Sequence, residues 1–476
     1  MRRNATRIHI LKCCGCLHPA MAAPALLLYC LTAVAFAATS NTLFRNVTPL
    51  DAHSGAGAVQ DVLIADGKIT SMGQALDAPA GTRIVDGRGR FLIPGLWDMH
   101  VHLSYDDRLS DSMGDLFLDY GITSVRDTGG QLDVLLPIVK KIRTSDAAAP
   151  RVFYAGPLLD GSPVVYNGQG VPSLGTSNTV PESASLTVQA LTAAGASFIK
   201  IYEMVSPEMF QALVAAAKTK GIPVAAHVPL SMLASEAGPE AQSLEHLRNL
   251  ELDCAADADK LLRQRQLALL NNDQQSGLAL RRNIHATQRS VAFNAENPAR
   301  CDQVIARLTS TIQVPTARLT AMTQYPPFAA TDWDAALAGL PDAVRDDWQN
   351  AAKRVNQQAY RTAGTWALGM IPRLAAAGVP IGAGTDTPIG WSIPGYSLHR
   401  ELQVLVAAGL EPIKALKAAT IVPAQFFGLH TEMGQVAVGF GADLLLLDAN
   451  PLDDIANTRS IRMVMAHGSI VREAQP

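Results

Sequence analysis

Phe91-Leu92-Ile93-Pro94-Gly95-Leu96-Trp97-Asp98-Met99-His100-Val101-His102 opens apolar, turns at Pro94-Gly95 and closes on two histidines one residue apart. Side chains alternate between the faces of a strand, so His100 and His102 share one face. Two imidazoles side by side at the end of a buried strand form a pair of metal ligands in want of partners. Two unrelated core histidines are the competing reading.

Working outward, the rhythm on the two sides of Pro94-Gly95 differs. Residues 41–91 read as short strands punctuated by Asp66-Gly67, Ala80-Gly81 and Asp86-Gly87, which are turn signals. The far end looks alike, with Gly439-Phe440-Gly441 leading into Ala442-Asp443-Leu444-Leu445-Leu446-Leu447. Neither end is large enough to fold alone, so one composite β-sandwich domain is expected from 38–92 and 431–476.

Between these ends, apolar strands alternate with amphipathic helices. Strands are expected at 91–102, 123–128, 151–156, 197–203, 222–228, 242–246, 311–317 and 379–386. Helices are expected at 109–120, 131–144, 184–194, 206–219, 354–377, 396–408 and 411–427. Strand then helix, repeated about eight times, predicts an α/β fold, a (β/α)8 TIM barrel over 93–430. An open doubly wound sheet is the rival, weakened because no Gly-x-Gly-x-x-Gly follows an early strand. Residues 157–182 read as a long loop at the C-terminal rim, and a helical insertion is expected at about 249–309. These segments are either decoration or a lid that sizes the substrate.

With 476 residues, 48% hydrophobic and 17% charged, the chain can bury a large core. A net charge of −3, no Lys/Arg run in the body and 5% aromatics exclude nucleic acid as the expected partner. Residues 1–37 carry Arg2, Arg3, Arg7 and Lys12, then an apolar run ending Ala35-Phe36-Ala37. This is the pattern of a secretory signal peptide cleaved after Ala37, and it predicts a secreted or periplasmic protein. An uncleaved anchor is the alternative, though the run is short for a spanning helix. No stable membrane insertion is expected after cleavage. A start at Met21 would lack the basic region. Only Cys254 and Cys301 remain beyond the leader, an even pair that suits a disulfide in an oxidising compartment. Two free buried thiols are the alternative.

Ionisable residues gather at the expected strand ends. They are His100 and His102 on the first, Lys200 and Tyr202 on the fourth, His227 on the fifth, His246 on the sixth and Asp386 on the eighth. In a parallel barrel these ends meet on one rim. Arg126 ends the second strand, either pairing with Asp127 or binding a substrate carboxylate. His53, His285, His430 and His467 lie outside this pattern and read as surface or packing residues.

Beyond the opening stretch, several motifs carry a resemblance. They are Gly121-Ile122-Thr123-Ser124-Val125-Arg126-Asp127-Thr128-Gly129-Gly130, Lys200-Ile201-Tyr202, Ala226-His227, Glu245-His246-Leu247, Gly384-Thr385-Asp386-Thr387 and Leu398-His399-Arg400-Glu401-Leu402. With these the chain resembles the metal-dependent amidohydrolase superfamily. It is most similar to the imidazolonepropionase-like and Xaa-Pro dipeptidase-like members of bacterial periplasms. The resemblance implies two divalent metal ions, with zinc expected. His100, His102 and Asp386 would hold one, His227 and His246 the second, and a carboxylated Lys200 would bridge them. An unmodified Lys200 would leave one metal.

The implied reaction is hydrolysis of a C–N bond, with the metals lowering the pKa of a shared water and Asp386 as catalytic proton carrier. Tyr202 and His399 are the expected substrate contacts. No Gly-x-Ser-x-Gly elbow competes with this chemistry. A dipeptidase or N-acyl amino acid amidase is expected, and a cyclic amide, imidazolone or lactone hydrolase is the alternative. A catalytically dead binding protein would lack a ligand, yet every ligand position is filled. The expected partner is a small, dipeptide-like substrate, and a homo-oligomer is compatible with the sequence.

Overall fold

The computed structural model describes residues 41–51, 55–144, 149–271, 275–354 and 361–474. The expected leader and His53 lie outside the described residues. The described chain opens with β1 (Thr42–Asp51), β2 (Gly55–Ala56), β3 (Gln60–Ala65), β4 (Lys68–Gly73), β5 (Arg83–Asp86) and β6 (Phe91–Pro94). Next come β7 (Leu96–Val101), β8 (Ile122–Asp127), β9 (Arg151–Tyr154), β10 (Leu158–Asp160), β11 (Gly175–Ser177) and β12 (Ile199–Ile201). The last are β13 (Val224–Ala226), β14 (Ser243–Glu245), β15 (Ile312–Val314), β16 (Leu444–Leu447), β17 (Ile461–Ala466) and β18 (Ser469–Glu473).

The two ends of the chain build one hydrogen-bonded sheet in the order β18-β17-β16-β6-β1-β3-β4, with β2 and β5 also on β1. The first half of β1 pairs with β3 and β5, and its second half pairs with β6. Phe44, Val62 and Ile69 from the N-terminal strands share a core with Leu444, Leu446, Met463 and Met465 from the C-terminal ones.

Pro94 is still paired with Leu444, whereas Leu96 already pairs with Ile122. The chain thus changes sheets across Gly95. A Cβ there would sit 2.1 Å from the Thr123 hydroxyl, so only glycine lets the seam close. Beyond it, β7-β8-β9 form one parallel sheet and β11-β10-β12-β13-β14-β15 another. Helices separate the strands, for example Leu132–Thr144, Pro207–Lys220 and Tyr396–Ala407.

Four expectations shift. The eighth strand, 379–386, is not a regular strand. It follows β15 and β7 through single bridges, Gln313 with Ile381 and Val101 with Thr387. Gly384 lets it approach so closely that a Cβ would lie 2.8 Å from that of His100. The expected helix 411–427 breaks into Pro412–Ala418 and Ile421–Phe426. The Ala418 and Ala419 carbonyls accept from Ala383 and Trp97 N–H instead of continuing the helix. The helix 109–120 divides at Asp111-Ser112. Finally, 157–182 is not all loop, because Leu159 of β10 pairs with Ile201. The Asp160 carboxylate ties down the turn after β10, accepting from the backbone N–H of Gly161, Val165 and Met204.

Residues 249–309 are helical, with Ala258–Leu270, Gly277–Asn294 and Pro298–Arg307 the longest pieces. A disulfide joins Cys254 to Cys301 across this insertion. Among the described residues, no helix is long and apolar enough to cross a membrane.

Candidate metal centre

His100 is on β7 and His102 follows its end, so strand alternation turns both rings to one side. The Nε2 atoms of His100 and His102 lie 3.2 Å and 3.3 Å from Asp386 Oδ1. The ligand atoms of all three fall within 4.8 Å of one another, and all three side chains are buried. Asp98 sets this spacing from below. Its carboxylate accepts from His100 N–H, Thr385 N–H and the Thr385 hydroxyl, stitching β7 to the Gly-rich segment that carries Asp386. Asp386 itself has φ +61, and His246 has φ +65. Non-glycine residues are seldom held there, and such strain gathers at functional sites.

A cavity of about 100 Å³ opens on this cluster. His100, His102, Lys200, Tyr202, His227, His246 and Asp386 all line it. Seven of the expected site residues therefore come together. His399 does not. Its ring is fully buried among the helices, with Nδ1 2.8 Å from the Thr458 hydroxyl and Nε2 2.8 Å from the Tyr120 carbonyl oxygen. Both nitrogens are spent on packing, and the expectation of a substrate contact there is corrected. Arg126 is also interior. It donates to Met99 O, Ser243 Oγ and Glu245, so its role is structural, but its charged partner is Glu245 in place of the expected Asp127.

The four cavity histidines share one design. Nδ1 of His100 is 2.7 Å from Glu245, that of His102 is 3.0 Å from Gly129 O, and that of His227 is 2.7 Å from Glu203. The Nδ1 of His246 is 2.7 Å from Thr316 Oγ1, whose own hydrogen goes to Pro315 O. Each partner accepts, so each Nδ1 carries a proton. At His102 burial is outweighed by the Asp386 carboxylate on Nε2, which raises the ring's pKa. The Nε2 atoms of His227 and His246 have no hydrogen-bond partner among the described residues. Burial, reinforced by the Lys200 charge at His227, holds both rings well below the ordinary histidine pKa, hence neutral.

Charge in the site is arranged, not averaged. Burial alone would raise the carboxyl of Glu245, but Arg126, Lys200 and the His100 hydrogen bond outweigh it and hold it well below its usual range. Burial likewise opposes ionisation of Asp386, and the facing His100 together with the hydrogen bonds from His100 and His102 outweighs it and holds the carboxyl well below its usual range. Lys200 Nζ is buried with no hydrogen-bond partner among the described residues, and its nearest acid, Glu245, is 3.9 Å away. Burial lowers its pKa to about 8. An orphaned amine, two neutral imidazoles at His227 and His246, the further imidazoles of His100 and His102, and a carboxylate facing one small cavity are a donor set for divalent cations.

Sequence reasoning passed over Glu203, Thr316 and the cavity residues Tyr166, Arg248 and Arg281. The one available signal was Glu203, an acid inside an apolar run, where burial demands a partner.

The family model for the amidohydrolase family matches residues 91–471. Among solved structures, a bottromycin amidohydrolase superposes with a TM-score of 0.66 at 24% identity, covering 90% of this chain and 86% of that one. A Xaa-Pro dipeptidase with bound methionine in the active site superposes at 0.63 with 19% identity, covering 91% and 100%. These likenesses concern the fold. A dihydroorotase of Citrifermentans bemidjiense is 48% identical over 63 residues, so the match spans 13% of this chain and only 15% of that protein. By the match over residues 91–471, the chain belongs to the amidohydrolase family.

Proposed function

We propose that the protein is a metal-dependent amidohydrolase that cleaves the C–N bond of a dipeptide or an N-acyl amino acid in this cavity. In this reading His100, His102 and Asp386 hold one divalent ion, and His227 and His246 hold a second. Lys200 would complete the set as a carbamate, its nitrogen bonded to carbon dioxide with loss of a proton. A lowered lysine pKa favours that addition, because the neutral amine is the nucleophile. With Lys200 unmodified, the site holds one ion. The ions, zinc in this reading, supply Lewis acidity toward the scissile carbonyl and acidify water at the site.

Asp386 takes a proton from the attacking water as its oxygen bonds to the carbonyl carbon. It returns that proton to the nitrogen as the C–N bond breaks. Burial pushes the Tyr202 hydroxyl well above its ordinary pKa, so it stays a hydrogen-bond donor to the substrate's carbonyl or carboxylate. The observation that carries the reading is the set of four anchored histidines around the orphaned Lys200 amine.

Metal-loaded protein assayed on dipeptides and N-acyl amino acids tests it, with D386A alongside. Turnover by the native chain, abolished in D386A while metal content largely persists, is expected. Unchanged activity in D386A, or no turnover of any such amide, refutes it. The short dihydroorotase match favours a second reading, opening of a cyclic amide, imidazolone or lactone by the same residues. Ring-opening assays beside the linear amides separate the two.

The same reading closes the two parallel sheets into one (β/α)8 barrel over 93–430, with 38–92 and 431–476 forming a β-sandwich. Backbone bonds support closure: Ser197 N to Tyr154 O at 2.9 Å, Gly382 N to Gln313 O at 2.9 Å and Met99 N to Ala383 O at 2.9 Å. A leader over 1–37 and the Cys254–Cys301 disulfide support a periplasmic or secreted location.

A further inference from the structure

One wall of the cavity is cationic, and the residues that make it so are not among the metal-binding set. Glu203 sits just past β12 with its carboxylate fully buried. Two guanidiniums converge on it. Arg281 donates through Nε at 3.0 Å and Nη2 at 3.0 Å, and Arg248 donates through Nη1 at 3.0 Å. The remaining contact of Glu203 Oε1 is Nδ1 of His227. Nε2 of His285 is 3.5 Å from Oε2, and burial lowers that ring's pKa to about 3, so it is neutral. One carboxylate therefore faces two permanent cations, and one positive charge is left over.

That surplus charge lies against the cavity. Arg248 and Arg281 both line it, beside Tyr166 and Tyr202. Their side chains are only 21% and 11% exposed, so water does little to neutralise them. Arg248 keeps Nε and Nη2 without partners among the described residues. Arg281 is fixed by its two bonds to Glu203 and lies 5.7 Å from the centroid of the Tyr202 ring. A desolvated surplus cation is costly unless an anion arrives to share it. A surplus of one charge suits a monoanion, and forked N–H donors suit the two oxygens of a carboxylate.

Arg281 belongs to the helix Gly277–Asn294, within the disulfide-linked insertion and outside the alternating strands and helices. We propose that Arg281, delivered by the insertion, and Arg248 form the subsite for a substrate carboxylate, and that they select amides whose amine half is an amino acid. The inference rests on the amide-hydrolase reading of the same cavity and deepens it. The insertion supplies the specificity element, and Glu203 is the positioning residue that presents both guanidiniums while holding the His227 ring.

The test separates binding from turnover. Ketomethylene isosteres of N-acetylglycine, N-acetylalanine and N-acetylleucine carry CH2 in place of the amide nitrogen and cannot be cleaved. Each is titrated by calorimetry into the metal-loaded protein, once as the carboxylate and once as the primary alcohol that replaces it. The carboxylate form is expected to bind at least about 10-fold more tightly than its alcohol for at least one side chain. In R281M, and separately in R248M, most of that preference is lost while the alcohol's affinity stays within about 3-fold.

Three results overturn the proposal: equal binding of acid and alcohol, no binding of either, or a preference that survives in R281M. The native-chain comparison stands even if a variant does not fold. Failure of the hydrolase reading shows elsewhere, as absent turnover of the parent N-acetyl amino acids, and leaves the binding preference intact.

Discussion

Replacing Glu245 by glutamine changes almost no volume and removes one buried charge. The native carboxylate accepts from Arg126 Nη2 at 2.8 Å, Ser243 Oγ at 2.8 Å and His100 Nδ1 at 2.7 Å. Every neighbour is a donor, and a glutamine side chain must turn its own NH2 toward one of them. Arg126 is fully buried and loses its only charged partner within hydrogen-bond reach among the described residues. Leaving a buried charge uncompensated costs about 3–5 kcal/mol. His100 also loses the acceptor that fixes its proton on Nδ1. Losing such an outer partner typically lowers metal affinity about 10- to 100-fold. E245Q is therefore expected to unfold at lower denaturant and to surrender metal at lower chelator concentration than the native chain. Urea titration and competition with a metal-binding dye measure the two effects. If E245Q matches the native protein in both, the assignment of Glu245 as the group that orients His100 is wrong.

Loss of the Cys254–Cys301 bond, in C254S/C301S or with reductant, releases a loop of 47 residues and is expected to cost about 2–4 kcal/mol, read in the same urea titration. Substituting His399 by glutamine should lower stability by about 1–3 kcal/mol through its Thr458 and Tyr120 bonds, yet leave KM unchanged; a raised KM would return His399 to the site. Burial pushes the Glu401 carboxyl up from 4.5 to about 7 in the folded chain, opposed by the backbone N–H groups of Arg318 and Ala317. The folded state then holds that proton more tightly than the unfolded one, so the contribution is full below pH 4.5 and is lost as pH rises through about 7. Unfolding free energies measured across that window should fall less in E401Q than in the native chain.

The elements that carry the site were legible because they obey simple periods. His100 and His102 alternate at the end of β7, Lys200 lies inside the short apolar β12, and His227 and His246 directly follow β13 and β14, so one rule about apolar strands collects them. The same rule stops working where backbone geometry leaves the regular menu. Glu203 lies two residues past the end of β12, where alternation no longer fixes direction, and its partners come from the insertion. Arg281 is on a helix with no period that marks it, and only tertiary packing brings it to Glu203. Asp386 was found from its strand-like surroundings, yet it has φ +61 in a segment held by bridges alone. His399 misled because it opens a helix after the eighth strand segment, a position whose side chain the sequence cannot aim. The break at Ala419-Thr420 was equally hidden, since its cause is two carbonyls turned toward Ala383 and Trp97.

The proposed centre draws on six residues from five segments of the chain to hold divalent metal together. Crystals of metal-loaded protein, measured by anomalous scattering at the zinc edge, test it most directly. Zinc peaks are expected within bonding distance of His100, His102 and Asp386 and of His227 and His246, with density for a carbamate on Lys200 when both are filled. A cavity without any peak in fully loaded protein, or metal bound only at residues away from it, would contradict the proposed centre.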